Sequence, residues 1–417
     1  MQTTFPPVRK REIFSWCCFD FANSSFTTII ITVVYSVYFT SVVASGNPAA
    51  KAWWGIMLAL SQIVVILLSP WLGAVADFQA RKKCFLMWSA ILCSLFTALL
   101  FWTGEGTILF ALIFVALANI AFSFSENFCS SFLPEISTPP TCGRISGYGW
   151  SFGYMGGLAS LGIVLWMLSS ENGSACILWT FPMTGAFFIL ASLPTLIFLR
   201  ERAVPQTLPN GISYWRYGWT EIFRTLKQLP QHRTLAIFFL SFTCFMSGLF
   251  AVISFASIFA GEVLHFSQKE TILLFITLQI SSAIGAFGFG FLQDKVGSKN
   301  TLIFALVIWI VVSLWAFFCQ TKTEFFIIGN LAGLGIGSLQ SASRAVVSML
   351  VPPKQSGEFF GFWGLFGKLG AIIGPASAGF LSAWIGLRYF TLLNLVFFLL
   401  GFIILLSVKL PRYACSN

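Results

Sequence analysis

The stretch Gly73-Ala74-Val75-Ala76-Asp77-Phe78-Gln79-Ala80-Arg81-Lys82-Lys83 follows the second long apolar run of the chain. It recurs in outline after the eighth, as Gly290-Phe291-Leu292-Gln293-Asp294-Lys295-Val296-Gly297-Ser298-Lys299. Both copies place a glycine four residues before an aspartate, with basic residues following in a tight turn. The glycine permits close helix approach, and the aspartate can pair with cations or with a neighbouring helix N-terminus. One acidic–basic turn is weak evidence, because such loops are common. Two copies, each after the second run of a set of six, point to a duplicated membrane architecture.

The apolar runs on either side support this. A helix needs about 20 apolar residues to cross about 30 Å of hydrocarbon. Runs of that kind lie near 13–44, 52–76, 84–103, 107–131, 145–169 and 176–199, then near 234–260, 269–292, 299–319, 323–350, 357–383 and 387–408. The fold expected is an all-α membrane protein of about twelve transmembrane helices. These fall in two six-helix bundles, 1–199 and 234–417, joined by a linker at 200–233. Composition agrees: 57% of the 417 residues are hydrophobic and 9% are charged, against about 25% charged in soluble domains. The first run is too long for a signal-peptide core and contains Asp20 and Asn23, so it reads as the first span.

The net charge of +10 does not point to nucleic acid, because the basic residues occupy alternate loops and form no long block. One side carries Arg9, Lys10, Arg11, Arg81, Lys82, Lys83, Arg144, Arg200, Arg202, Arg216, Arg224, Lys227, Arg233, Lys295, Lys299, Arg344, Lys354, Lys409 and Arg412. The other carries Lys51, Lys269, Lys322 and Arg388, and only Lys368 belongs to neither. The positive-inside rule then puts both termini in the cytoplasm. Short loops suggest a bacterial inner membrane; the string Asn172-Gly173-Ser174 is a glycosylation signal only in a eukaryote. Within the linker, Ile212, Trp215, Trp219, Ile222, Phe223, Leu226 and Leu229 repeat at helical spacing, with Arg216, Glu221, Arg224 and Lys227 between them. That pattern reads as an amphipathic helix on the cytoplasmic membrane face.

Several chemistries find no support. The ten cysteines are scattered without a CxxC pair, and His232 and His265 have no HExxH context, so neither metal nor another cofactor is expected. Gly149-Trp150-Ser151-Phe152-Gly153 matches a hydrolase string but lies inside an apolar helix, where no strand–turn–helix elbow can form. There is no Walker A string, so the chain does not read as an ATP-driven pump.

The paired loops resemble the signature of the major facilitator superfamily, with Ala80 where that pattern usually has glycine. Further motifs resemble its vacuole-effluxer-like branch, the autophagy-related family. These are Asp20-Phe21-Ala22-Asn23-Ser24, Leu133-Pro134-Glu135-Ile136, and Gly143-Arg144-Ile145-Ser146-Gly147-Tyr148-Gly149-Trp150 with Gly153-Tyr154-Met155-Gly156-Gly157 beyond. Gln340-Ser341-Ala342-Ser343-Arg344, Gly357-Glu358-Phe359-Phe360-Gly361 and Gly367-Lys368 complete the set. The resemblance implies a major facilitator fold and solute transport; yeast members are associated with amino-acid efflux from the vacuole. It also implies that spans one and four line a central cavity and that the protein works as a monomer.

Charges within spans are the site candidates, since each costs about 2.5–3.5 kcal/mol on insertion scales. Lys368 lies about 16 Å into span eleven and Asp20 about 10 Å into span one, at 1.5 Å per residue. Glu126 lies near the end of span four. Asp20 or Glu126 can titrate, bind an ammonium group, or pair within a gate, while Lys368 suits an anionic group. Asn23, Asn127, Trp150, Tyr154, Gln340 and Trp363 are polar or aromatic wall candidates. Gly73, Asp77, Arg81, Arg144, Asp294, Lys295 and Arg344, at span ends, read as gating or topology residues. The function expected is secondary active transport of a small polar solute, an amino acid favoured, with protons as coupling ion and membrane lipids as surroundings. The alternatives are an amphiphile such as a lysolipid as cargo, an integral-membrane lipid enzyme, or a non-transporting receptor.

Overall fold

The computed structural model describes residues 8–169, 176–205, 214–228 and 233–409, and every regular element among them is helical. Asn172–Ser174, His232, Arg412 and the Ile212 and Leu229 ends of the amphipathic repeat lie outside the described residues. Among the described residues, twelve helices are long and apolar enough to cross a membrane: Lys10–Val43, Ala50–Gln79, Lys82–Trp102, Ile108–Ile136, Pro139–Leu168, Ile177–Phe198, Arg233–Glu262, Lys269–Val296, Ser298–Phe318, Lys322–Leu350, Pro353–Ile385 and Leu387–Ser407. They are called spans one to twelve below. A further helix, Tyr214–Gln228, occupies the linker.

Span one is α-helical to Phe26, widens to a π-helix over Thr27–Val33, and widens again over Phe39–Val43. The first widening falls on eight consecutive β-branched residues, Thr27 to Val34. Their branched side chains crowd the preceding turn of an α-helix. The widened turn relieves that crowding, and the Val34 amide reaches five residues back to the Ile29 carbonyl at 2.9 Å. Beyond it, Tyr35 and Tyr38 donate their hydroxyls to Thr103 at 3.3 and 2.9 Å, so the later half of the span is held to the end of span three.

The helices form two compact units. The first comprises residues up to Ile136, Phe152–Tyr214 and Pro353–Gly361; the second comprises Ser137–Ser151, Trp215–Pro352 and Phe362 onward. Span five and span eleven are therefore each divided, their opening turns grouped apart from the rest of the helix.

Side-chain amides link helices within each unit. In the first, Asn119 and Asn127 of span four donate to Ser61 and Ser69 of span two at 2.7 and 2.6 Å. In the second, Ser281 of span eight donates to Asn330 of span ten at 2.7 Å. Aromatic stacking fills the rest, as with Trp309 on Phe398 at 4.8 Å in the second unit.

The two signature turns both pass through a residue of positive φ, with ψ of 48° at Ala80 and 155° at Gly297. Ala80 and Gly297 each stand three residues past the aspartate, and both have positive φ, 51° and 88°. A side chain in the left-handed region costs roughly 1–2 kcal/mol. Ala80→Gly is thus expected to raise stability by about 0.5–1 kcal/mol, the relief being partly offset by the added freedom of the unfolded chain. Thermal unfolding of the purified protein measures this, and a lowered midpoint would show that the turn is unstrained.

Candidate functional site

The first unit concentrates its buried charge where span two ends. Asp77 accepts the Gly357 amide on Oδ1 at 3.0 Å and the Glu358 amide on Oδ2 at 2.9 Å. A carboxylate there caps the positive start of span eleven. Gly73 is required by the same contact, because a Cβ at that position would overlap the Gly357 carbonyl. Lys82 is wholly buried beside this cap: its Nζ pairs directly with Glu135, donates to Ser356 Oγ at 2.8 Å, and lies 3.9 Å from Asp77 Oδ1.

The network continues to the ends of spans one and six. Glu135 Oε2 accepts the Arg202 amide at 3.1 Å, and Arg202 Nη2 donates to the buried Glu12 carboxylate at 2.6 Å. Glu201 caps the start of span three, accepting the Lys82 and Lys83 amides at 3.1 and 2.8 Å. Burial pushes the Glu201 carboxyl above the usual glutamate range, against the opposing pull of those amides and the Lys82 charge. A raised pKa means that folding favours the protonated acid. That contribution is complete below the ordinary value of 4.5 and is lost as pH rises through the raised one. Wild type should therefore lose stability relative to Glu201→Gln as pH climbs from about 4.5. Parallel unfolding profiles over that window would show that the carboxyl is not perturbed.

The second unit repeats the cap. Asp294 at the end of span eight accepts the Gly143 amide at 2.9 Å and the Arg144 amide at 3.3 Å, where span five begins, with Arg144 Nε at 3.6 Å. Deeper in this unit Arg344 is buried: Nε donates to Ser146 Oγ at 3.1 Å and Nη2 to the Ser146 carbonyl at 2.9 Å, and its guanidinium lies 5.3 Å from the Trp150 ring centroid. Ser146 Oγ in turn donates to the Ser341 carbonyl at 2.8 Å, tying span five to span ten.

The remaining candidates divide between the units. In the first, Phe26 of span one stacks on Phe122 of span four at 5.2 Å, and Trp16 Nε1 donates to the Cys129 carbonyl at 2.7 Å. Asp20 and Asn23 on one span and Glu126 and Asn127 on the other lie in the stretches between these two contacts. Asp20, Asn23 and Asn127 are buried and Glu126 is half-buried. The Asn23 and Asn127 side-chain oxygens are buried without a hydrogen bond among the described residues. Tyr154, half-buried, stands one residue past Gly153, whose missing side chain leaves room for Ser24 and the Asp20 carbonyl. In the second unit, Trp363 stacks on Phe242 at 5.9 Å, and Gln340 and Lys368 are half-buried. Lys368 lies twelve residues past Ser356, the first α-helical residue of span eleven, hence about 18 Å along it.

Of the expected gating residues, Gly73, Asp77, Arg144, Asp294 and Arg344 all enter these contacts. Arg81 and Lys295 do not: both side chains are exposed, and the basic residue drawn into the first cap is Lys82. Glu12, Glu201 and Ser356 were not picked out from the sequence, Arg202 was noted only as a topology charge, and Glu135 only as part of a motif. Their one sequence signal is that each is a polar residue within a turn or two of a span end, which many solvated residues share.

Twelve spans with a repeated aspartate cap fit the duplicated architecture of the major facilitator superfamily. Solved structures of that superfamily share the fold. The human organic anion transporter MFSD10 aligns with a TM-score of 0.76 at 14% identity, covering 96% of this chain and 100% of its own. The proton:xylose symporter XylE aligns at 0.72 and 12% identity, covering 97% and 96%. The family profile described as vacuole effluxer Atg22 like matches residues 48–414, and the chain belongs to that family. The uncharacterized MFS-type transporter YxiO of Bacillus subtilis is 28% identical over 407 residues, 94% of each chain. Autophagy-related protein 22 of Saccharomyces cerevisiae is 25% identical over 312 residues, 66% of this chain and 57% of the yeast protein.

Proposed function

We propose that this transporter moves a small zwitterionic solute, an amino acid favoured, in a proton-coupled cycle across a bacterial inner membrane. The termini are cytoplasmic and the working unit is a monomer. The observation that carries the reading is the polar set of the first unit: two carboxylates, Asp20 and Glu126, with the unsatisfied oxygens of Asn23 and Asn127. Carboxylate and amide oxygens accept hydrogen bonds from an ammonium group, and a carboxyl group can carry a coupling proton. In the second unit Lys368 supplies a cation about 18 Å along its span, the chemistry that suits a carboxylate. An amino acid carries one group for each. The solute-binding residues and the two aspartate caps are separate along the spans, so binding and gating are assigned to different residues.

The test is uptake of a labelled amino-acid panel into proteoliposomes, with and without an imposed pH gradient. Gradient-driven accumulation of at least one amino acid is expected, and Asp20→Asn or Glu126→Gln should remove the dependence on the gradient. If no amino acid moves while a lysolipid does, the cargo is an amphiphile and the zwitterion reading fails.

A further inference from the structure

The linker helix Tyr214–Gln228 does not bury its two adjacent apolar residues alike. Ile222 turns inward, 7% exposed, together with Gly218 and Glu221, whereas Phe223 is 60% exposed. Among the described side chains of this helix, Tyr214, Arg216, Thr220, Phe223, Arg224 and Lys227 are exposed, the last five at i, i+4, i+7, i+8 and i+11. That spacing is one face of an α-helix. The face carries three cations and an aromatic ring. The acid nearest to it, Glu221, lies on the inward side and accepts from Arg224 Nη1 at 3.0 Å. Thr220, Phe223, Arg224 and Lys227 line an open recess of about 430 Å³.

We propose that this face docks on anionic phospholipid headgroups, with Phe223 inserted at the acyl boundary and Arg216, Arg224 and Lys227 on the phosphates. The position of the helix supplies the partner. Five residue steps separate Gln228 from Arg233, the first residue of span seven. A chain spans at most about 3.6 Å per residue, so the basic end of the helix lies within about 18 Å of the point where span seven enters the bilayer. An exposed ring flanked by long cationic side chains is the pattern of a helix lying in the interface, the alkyl stems following the ring while the charges stay at headgroup level. Charge complementarity selects anionic over zwitterionic lipid, since each basic residue near an anionic surface shifts partitioning roughly fivefold.

The test uses full-length protein in nanodiscs of phosphatidylcholine alone or with phosphatidylglycerol added. A Phe223→Cys variant carries an environment-sensitive fluorophore at that position, the labelled parent giving the background from native cysteines. Lipids with a shallow spin label act as quenchers. Quenching is expected to rise on adding the anionic lipid and to fall with salt. It should drop roughly tenfold or more in partitioning when Arg216→Gln, Arg224→Gln and Lys227→Gln are combined with the label. Equal quenching in both lipids, or no loss in the combined variant, would overturn the headgroup assignment. Absence of quenching in every lipid would overturn the docking itself. The readout does not require transport, so it stands or falls apart from the cargo.

Discussion

Lys82→Met is expected to destabilise the protein by about 3–5 kcal/mol, the effect of removing one partner from a buried ion pair. Lys82 has no solvent exposure, and its ammonium serves Glu135, Ser356 and Asp77 together. Without it, Glu135 keeps the Arg202 amide at 3.1 Å but loses its countercharge, and Asp77 keeps only the two amides at the start of span eleven. Adding Glu135→Leu to Lys82→Met should recover much of the loss, because an apolar pair needs no desolvated charge. Arg81→Gln, one residue earlier and exposed, should stay within about 0.5 kcal/mol of wild type. Unfolding midpoints of the four proteins in one detergent decide the matter. If Lys82→Met and Arg81→Gln behave alike, the network does not hold the span ends together.

The second large effect is on transport. Lys368→Ala should reduce uptake at least thirtyfold while the protein stays folded and monodisperse. Truncating a charge that binds an oppositely charged group costs about 2–5 kcal/mol. Lys368→Arg keeps the charge but changes its reach and geometry, so it should retain part of the activity. A merely structural lysine would instead lower the unfolding midpoint and leave the uptake of surviving protein unchanged. Normal uptake by Lys368→Ala would remove Lys368 from the site and with it the main argument for an anionic group on the solute.

These two lysines also show how far the chain could be read without its structure. Lys368 was legible because a charge within a long apolar run is expensive, and about 18 Å of helix separates it from the start of span eleven. Lys82 was not. As one of three consecutive basic residues in a turn, it has the same local pattern as Arg81 and Lys83. Only the helix phase at the start of span three points Lys82 inward and leaves Arg81 exposed. The linker helix poses the same difficulty: Ile222 and Phe223 are adjacent and both apolar, and only packing decides which is covered.

The sequence by itself determined the all-helical membrane class, the twelve spans and the family. Those follow from run length, hydropathy and short motifs, which are local properties that no tertiary contact can change. It also determined that Asp77 and Asp294 are equivalent, since the glycine and the turn recur with the same spacing. Tertiary structure alone decided what those aspartates hold: the opening turns of span eleven and span five, more than 100 residues away in one direction or the other. An amide that starts a helix looks like any other amide in a sequence. It becomes a partner only when a glycine-lined approach brings it within 3 Å of a carboxylate.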